Sequence, residues 1–361
     1  MAYYKRRRAL LYDELLELMI ETWEKEIEKL PEKKQAIAWR KMSRDPKGLS
    51  EVIGKIAKEV AIGSRKQIEE AIREDSKDRE DFERSLYKKY KPILDTFAEL
   101  LGVCLEAVES HREIIHTNLG EKDTVLPMVL RLEARVHRIA SEVLTLVRTG
   151  YATGALSRWR SMHEITVVMS YVIEYGEKAI KLMQAHEAVS GYKAMKDYQT
   201  YHKQLNMLPY SSYDMRLAKG RYDRRIARYG QNFKRDYGWA TVLTPSVTDF
   251  RSLEKHVGID HLRPYYKLSS MGVHMEWRSL TTGEEFEALD KHGVVLIGPA
   301  DYGFEDAISL AMITAAHATT MVLTYNSSMK SLMYVNIIRD IQQRGEAELM
   351  KLAKKSEPPV V

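Results

Sequence analysis

The chain has 361 residues, 44% of them hydrophobic and 30% charged, which is enough apolar material for a core and excludes global disorder. Lys and Arg number 56 against 51 Asp and Glu, a net charge of +5, so local clusters rather than total charge would attract a polyanion. The one cysteine, Cys104, excludes an intrachain disulfide and a four-cysteine zinc site, and it suits a reducing cytoplasm.

Gly and Pro are sparse, 19 and 10, which favours long regular elements over a turn-rich β fold. Lys5, Arg6, Arg7 and Arg8 precede Leu10 and Leu11, but Asp13, Glu14 and Glu17 arrive too early for a signal peptide. Leu10, Leu11, Leu15, Leu16 and Met19 recur at helical spacing up to Pro31. Asp45-Pro46-Lys47-Gly48 forms a turn, and Ser50 caps a helix through Ile53, Ile56 and Val60. Residues 1–90 therefore read as a helical N-terminal arm, either a partner-binding module or a set of ordinary solvated helix faces.

The helical pattern resumes from Phe82 to His116, with a break or kink at Pro92. A loop covers 118–127. Val129 to Arg148 is amphipathic, and Gly150 to Gly154 breaks it. From Ala155 to about Tyr175 apolar residues point in every direction, which places that helix in the middle of a bundle. A further helix runs to about Tyr201, a loop with Pro209 follows, and 216–239 is basic and aromatic. Short helices are expected over 249–256 and 262–273, and a strand is plausible within 281–299. A long helix from Phe304 to about Arg339 closes the core. Its segment 307–329 contains no Lys, Arg, Asp or Glu, but its His, Asn, Thr and Ser suit a buried central helix better than a membrane span. The expectation is an all-α multi-helix bundle with at most one short hairpin, divided into 1–90, a core over 91–340 and a polar tail over 341–361.

Two stretches could carry chemistry. In Arg158-Trp159-Arg160-Ser161-Met162-His163-Glu164, residues Arg160, His163 and Glu164 share one helix face. Ionisable groups on an apolar helix either pair structurally or build a site, because burying them alone is costly. In the second stretch, Tyr266, Ser270 and His274 stand four apart, with Gly272 as a local irregularity. His274 is expected to approach His163. A Glu113–His116 spacing matches half of a di-iron carboxylate motif, but the second half is absent and it reads as ordinary helix. No metal and no cofactor is expected.

The segment 216–239 carries Arg216, Lys219, Arg221, Arg224, Arg225, Arg228, Lys234 and Arg235 against Asp223 and Asp236, with Tyr222, Tyr229, Phe233, Tyr237 and Trp239 interleaved. Phosphate pairing and base stacking would suit RNA or single-stranded nucleic acid. The alternative is an exposed helix with snorkelling arginines. The proposed nucleic-acid contacts are Arg216, Arg221, Arg224, Arg225, Arg228, Tyr229, Lys234 and Arg235.

The Ser157-to-Glu164 stretch resembles the signature of DUF 5677, an uncharacterised prokaryotic helical family. Tyr266, Ser270, His274, Gly298 and Pro299 fit its later motifs, Met162 departs from its usual Leu, and the resemblance covers roughly 90–330. More loosely, Arg158 and His163 are similar to the Arg-x-x-x-x-His motif of HEPN ribonucleases, although Trp159 and the apolar helix depart from that pattern. The second resemblance implies a metal-independent endoribonuclease or toxin, with antiphage defence as a setting and a homodimer as its assembly. In that mechanism His163 and His274 serve as acid and base, Arg158 or Arg160 holds phosphate, and Glu164 orients. A non-enzymatic sensor or scaffold, with a protein partner at the arm, is the rival class, and a metal-dependent hydrolase the third. A cytoplasmic protein with no membrane partner is expected.

Overall fold

The computed structural model describes residues 65–119, 123–271 and 298–356 continuously, and scattered positions between 17 and 62. The plausible strand within 281–299 lies almost wholly outside these residues, and His274, Gly272 and the turn at Asp45 lie wholly outside. Among the described residues there is helix but no strand, an all-α bundle. The chain divides into two compact units, 1–88 with 296–298 and 89–295 with 299–361.

In chain order the α-helices are α1 (Arg65–Leu119), α2 (Leu126–Arg148), α3 (Ala152–Tyr175), α4 (Glu177–Tyr201), α5 (Ser212–Tyr229), α6 (Gly238–Thr241), α7 (Phe250–His256), α8 (Arg263–Met271), α9 (Glu305–Thr324) and α10 (Met329–Ser356). Helix α1 runs through Pro92 without a break, and Thr96 Oγ1 donates to the Pro92 carbonyl at 2.8 Å.

The second unit is built around α2, α3 and α9, which pack on one another, with α10 against α9 and α8 against α3. Helix α3 is central: Ala155, Trp159, Met162, Val167, Met169 and Val172 are all fully buried, as its all-round apolar pattern requires. Gly176, at φ +58°, turns the chain sharply from α3 into α4, a backbone region that glycine enters at little cost. Helix α9 is the one helix among the described residues long and apolar enough to cross a membrane, and most of it is buried in the bundle. It is a core helix.

The single helix expected over 304–339 is two. The chain turns at Tyr325–Ser328, where Asn326 takes φ +55°, and Ser328 and Ser331 cap the start of α10. His111 fastens this turn: its Nε2 donates to the Tyr325 carbonyl at 2.9 Å, which leaves Nδ1 to accept the Ser331 hydroxyl at 2.7 Å. Helix α10 continues through the expected polar tail to Ser356, with Ile341 and Leu349 buried. At Gly345 a Cβ would stand 2.4 Å from Met312 Cε, so any larger residue would require the flexible end of that methionine to shift.

Candidate functional site

Helix α3 distributes its charged residues to three neighbours. Arg158 pairs with Glu142 of α2, its Nε 2.7 Å from Oε2. Arg160 Nε donates to Glu164 Oε1 at 3.2 Å, the i,i+4 pair that the sequence spacing implies. His163 faces the opposite way from Arg158, inward, and its Nε2 donates to Glu254 Oε1 at 2.8 Å. Trp159 stacks on the His163 imidazole with centroids 5.4 Å apart and donates from Nε1 to Thr314 Oγ1 of α9 at 2.9 Å.

Glu254 comes from α7, a two-turn helix whose start is fixed by a reciprocal capping box between Asp249 and Ser252. Its carboxylate is fully buried. One oxygen takes the His163 proton donor, and the other accepts from Arg263 at 2.5 Å. Arg263 opens α8, and one turn later Tyr266 donates its hydroxyl to Glu164 Oε1 at 2.5 Å. The Tyr266 ring lies against both guanidinium groups, 4.7 Å from Arg160 and 4.8 Å from Arg263, a stacking that guanidinium favours. Two chains of polar contacts therefore meet at one tyrosine: His163–Glu254–Arg263 from the interior and Arg160–Glu164 from the surface.

Burial, with Glu164 adding to it, pushes the Tyr266 hydroxyl up to about 12, so it remains a donor across the physiological range. Tyr237 is also pushed up, by burial first and then by Glu164. Burial works against the Arg160 charge, but Tyr266 and Glu164 outweigh it and raise its pKa. His317 on α9 is pushed down by burial and by the neighbouring His261 and His163.

Access divides the cluster. The side chain of His163 is 1% exposed and that of Glu254 0%, whereas Glu164 is 37% exposed and Arg160 23%. Glu164, Arg160 and Arg263, the last 26% exposed, are the members of the cluster that reach solvent. His163 is placed to hold Glu254 and, through it, Arg263. Among the described residues Arg158 and His163 share no partner: Arg158 pairs with Glu142 and His163 with Glu254. His274 lies outside the described residues. Glu254 and Arg263, absent from the candidates drawn from sequence, are integral to the cluster.

The basic segment separates into two faces. Arg216, Lys219, Arg221, Arg224 and Arg228 on α5 are exposed, as are Lys234 and Arg235, and Arg225 is half-buried. The aromatics turn inward. Phe233 is fully buried and Trp239 nearly so. Tyr229 packs on Phe233 at 4.6 Å, and Tyr222 packs on Tyr192 at 5.0 Å. The expectation of base stacking by Phe233 and Trp239 is corrected: these rings are core, and Tyr229 is held beside them. The arginine side chains, by contrast, stay at the surface.

Among the described residues no group of three His, Cys, Asp or Glu is placed to hold a metal ion. Comparison with curated proteins and with solved structures finds no match. Residues 128–288, a shorter span than the sequence motifs suggest, match the model of a family of unknown function, DUF5677.

Proposed function

We propose that this protein acts on nucleic acid and cleaves RNA without a metal at the face formed by Arg160, Glu164 and Tyr266. The observation that carries the reading is the Glu164 carboxylate. It is part-exposed, fixed by the Tyr266 hydroxyl at 2.5 Å and flanked by the Arg160 guanidinium. A fixed carboxylate beside a guanidinium has the composition of a general base with an oxyanion partner.

In this reaction Glu164 takes the proton of a ribose 2′-hydroxyl. The 2′-oxygen attacks phosphorus, and the bond to the 5′-oxygen breaks. That oxygen takes a proton from water, to which Glu164 returns the one it took. The products are a 2′,3′-cyclic phosphate and a 5′-hydroxyl. Arg160 offsets the charge gathering on the phosphoryl oxygens, and the arginines of α5 supply the longer-range attraction for the polyanion. His163, buried, positions Arg263 through Glu254 and does not touch substrate. This places the base at Glu164, where the motif alone suggested His163. A toxin or antiphage role is one setting for such an activity.

The test is cleavage of an unstructured RNA in the presence of chelator, with the product ends identified. Chelator-resistant cleavage that leaves cyclic phosphate, reduced about a hundredfold or more in Glu164→Gln, is expected. Absence of cleavage in the wild type would remove the reading.

A second reading is favoured by one specific observation: Arg158, Arg160, His163, Glu164, Glu254 and Arg263 all have partners inside the protein. That pattern suits a non-enzymatic scaffold in which the network locks α7 and α8 onto α3. Under it, substitutions in the cluster change stability and nothing else.

A further inference from the structure

Helices α4 and α5 form a hairpin whose far half stands clear of the body. Every buried residue of α4 lies at or before Val189, and Ile226 is the one buried residue of α5. No residue from 190 to 225 is buried. At the tip, Leu208 is 86% exposed, Met207 57% and Leu205 56%. Tyr201, Tyr210 and Tyr213 are also exposed around them.

This loop is not a slack connection. Tyr198 donates its hydroxyl to the Leu208 carbonyl at 2.9 Å. The Tyr210 N–H donates to Gln199 Oε1 at 2.9 Å, and the Met207 N–H donates to the His202 carbonyl at 2.9 Å. The Tyr198 and Tyr210 rings pack 4.9 Å apart. Asn206 takes φ +52° to make the turn, and Ser211 caps α5 by accepting from the Asp214 N–H. The backbone is held while three aliphatic side chains are held out in water, which costs stability unless something covers them.

The charge behind the tip indicates the cover. From 196 to 225 the hairpin carries seven Lys and Arg against three Asp, and all but the half-buried Arg225 among those bases are exposed. A convex apolar tip, ringed by tyrosines and backed by basic side chains, matches the layers of an anionic bilayer surface. Aliphatic groups enter the acyl boundary, tyrosines sit at headgroup level, and Lys and Arg meet the phosphates. An RNA would find neither stacking faces nor donors in Leu205, Met207 and Leu208. A protein partner would have to supply a cavity for a protruding tip, whereas a bilayer needs none.

We infer that the α4–α5 hairpin tip docks the protein on anionic membrane surfaces, by shallow insertion of Leu205, Met207 and Leu208. This goes beyond the nuclease reading: the apolar tip lies apart from the face formed by Arg160, Glu164 and Tyr266, while the α5 arginines behind the tip are common to both.

The experiment is co-sedimentation of the full chain with vesicles of phosphatidylcholine alone and with vesicles of equal parts phosphatidylcholine and phosphatidylglycerol. Binding to the mixed vesicles, little to phosphatidylcholine, and a loss of about tenfold or more in M207D/L208D are expected. Both positions are exposed, and an unchanged circular dichroism spectrum will show that the double variant folds. Absence of vesicle binding overturns the inference. So does equal binding by the double variant, which would mean adsorption through arginines alone. Tip-dependent retention of a protein or an RNA, with vesicles ignored, also overturns it.

Discussion

His163 and Glu254, ninety-one positions apart in sequence, meet at 2.8 Å with neither side chain reaching solvent. The contact ties α7 to the central helix, and Glu254 then hands the connection to Arg263 on α8. Removing one partner of such a buried pair leaves a desolvated polar group with nothing to bond. Glu254→Ala is expected to destabilise the fold by about 3–5 kcal/mol, and His163→Ala somewhat less, since a neutral alanine leaves Glu254 its bond to Arg263. Denaturant unfolding of the two single variants and the double variant measures this. If the pair acts as a unit, the double variant loses less than the sum of the singles.

Glu133 makes a prediction about pH. It is a buried carboxyl on α2 that accepts from the Thr319 hydroxyl at 3.2 Å. Burial pushes it up to about 7 from its ordinary 4.5. The folded state then holds a proton that the unfolded state releases, so this group's stabilising contribution is complete below about pH 4.5 and is lost as pH rises through 7. The size of that loss is on the order of 3 kcal/mol. Glu133→Gln removes the ionisation and keeps an acceptor for Thr319. Its melting temperature should exceed that of the wild type at alkaline pH, with the gap closing toward pH 5, about the lower end of the range.

The basic segment makes a prediction that separates its two faces. Reversing Arg224, Arg225 and Arg228 to Glu should abolish binding of single-stranded nucleic acid and flatten its salt dependence, because these side chains would neutralise phosphates. Phe233→Ala should leave the salt dependence intact and instead cost about 3–5 kcal/mol of stability, because that ring is core. Filter binding across a salt series, beside thermal melting, reads both.

The inward turn of those aromatics was not legible in the spacing: Tyr229 ends α5, and Phe233 and Tyr237 lie in the turns before α6, so no single helical face joins them. Helix α3 was legible for the same physical reason that it is central. Apolar residues in every direction leave no face for solvent, and Arg160 and Glu164 meet by spacing alone. Glu254 and Arg263 were not legible. Their partners lie on other helices, and a lone acidic residue in a short capped helix looks like any solvated one. The division of α9 from α10 carries neither Pro nor Gly. Its signal is the Ser328–Ser331 cap and an Asn suited to the left-handed region, which a long apolar run concealed.

The two readings of the central cluster part at Tyr266. Its hydroxyl donates to Glu164 while its ring lies between Arg160 and Arg263. Phenylalanine keeps the ring and its stacking and removes only the hydroxyl. If the cluster is a scaffold lock, Tyr266→Phe costs a hydrogen bond to a charged group, about 1.5–3 kcal/mol, and alters no reaction. If Glu164 is the base, the same variant frees the carboxylate to rotate. RNA cleavage should then fall in kcat by tenfold or more with KM nearly unchanged, since the α5 arginines still hold the polyanion. The pH profile gives an independent reading. Because burial and Glu164 push Tyr266 up to about 12, its donor survives well past the ordinary tyrosine value of about 10. Wild-type cleavage should therefore show no alkaline fall near pH 10, the ordinary value for tyrosine. A variant with wild-type kcat would remove Tyr266 from the mechanism and leave the cluster as a lock, whereas a wild-type rate that collapses near that pH would overturn the raised Tyr266 pKa alone.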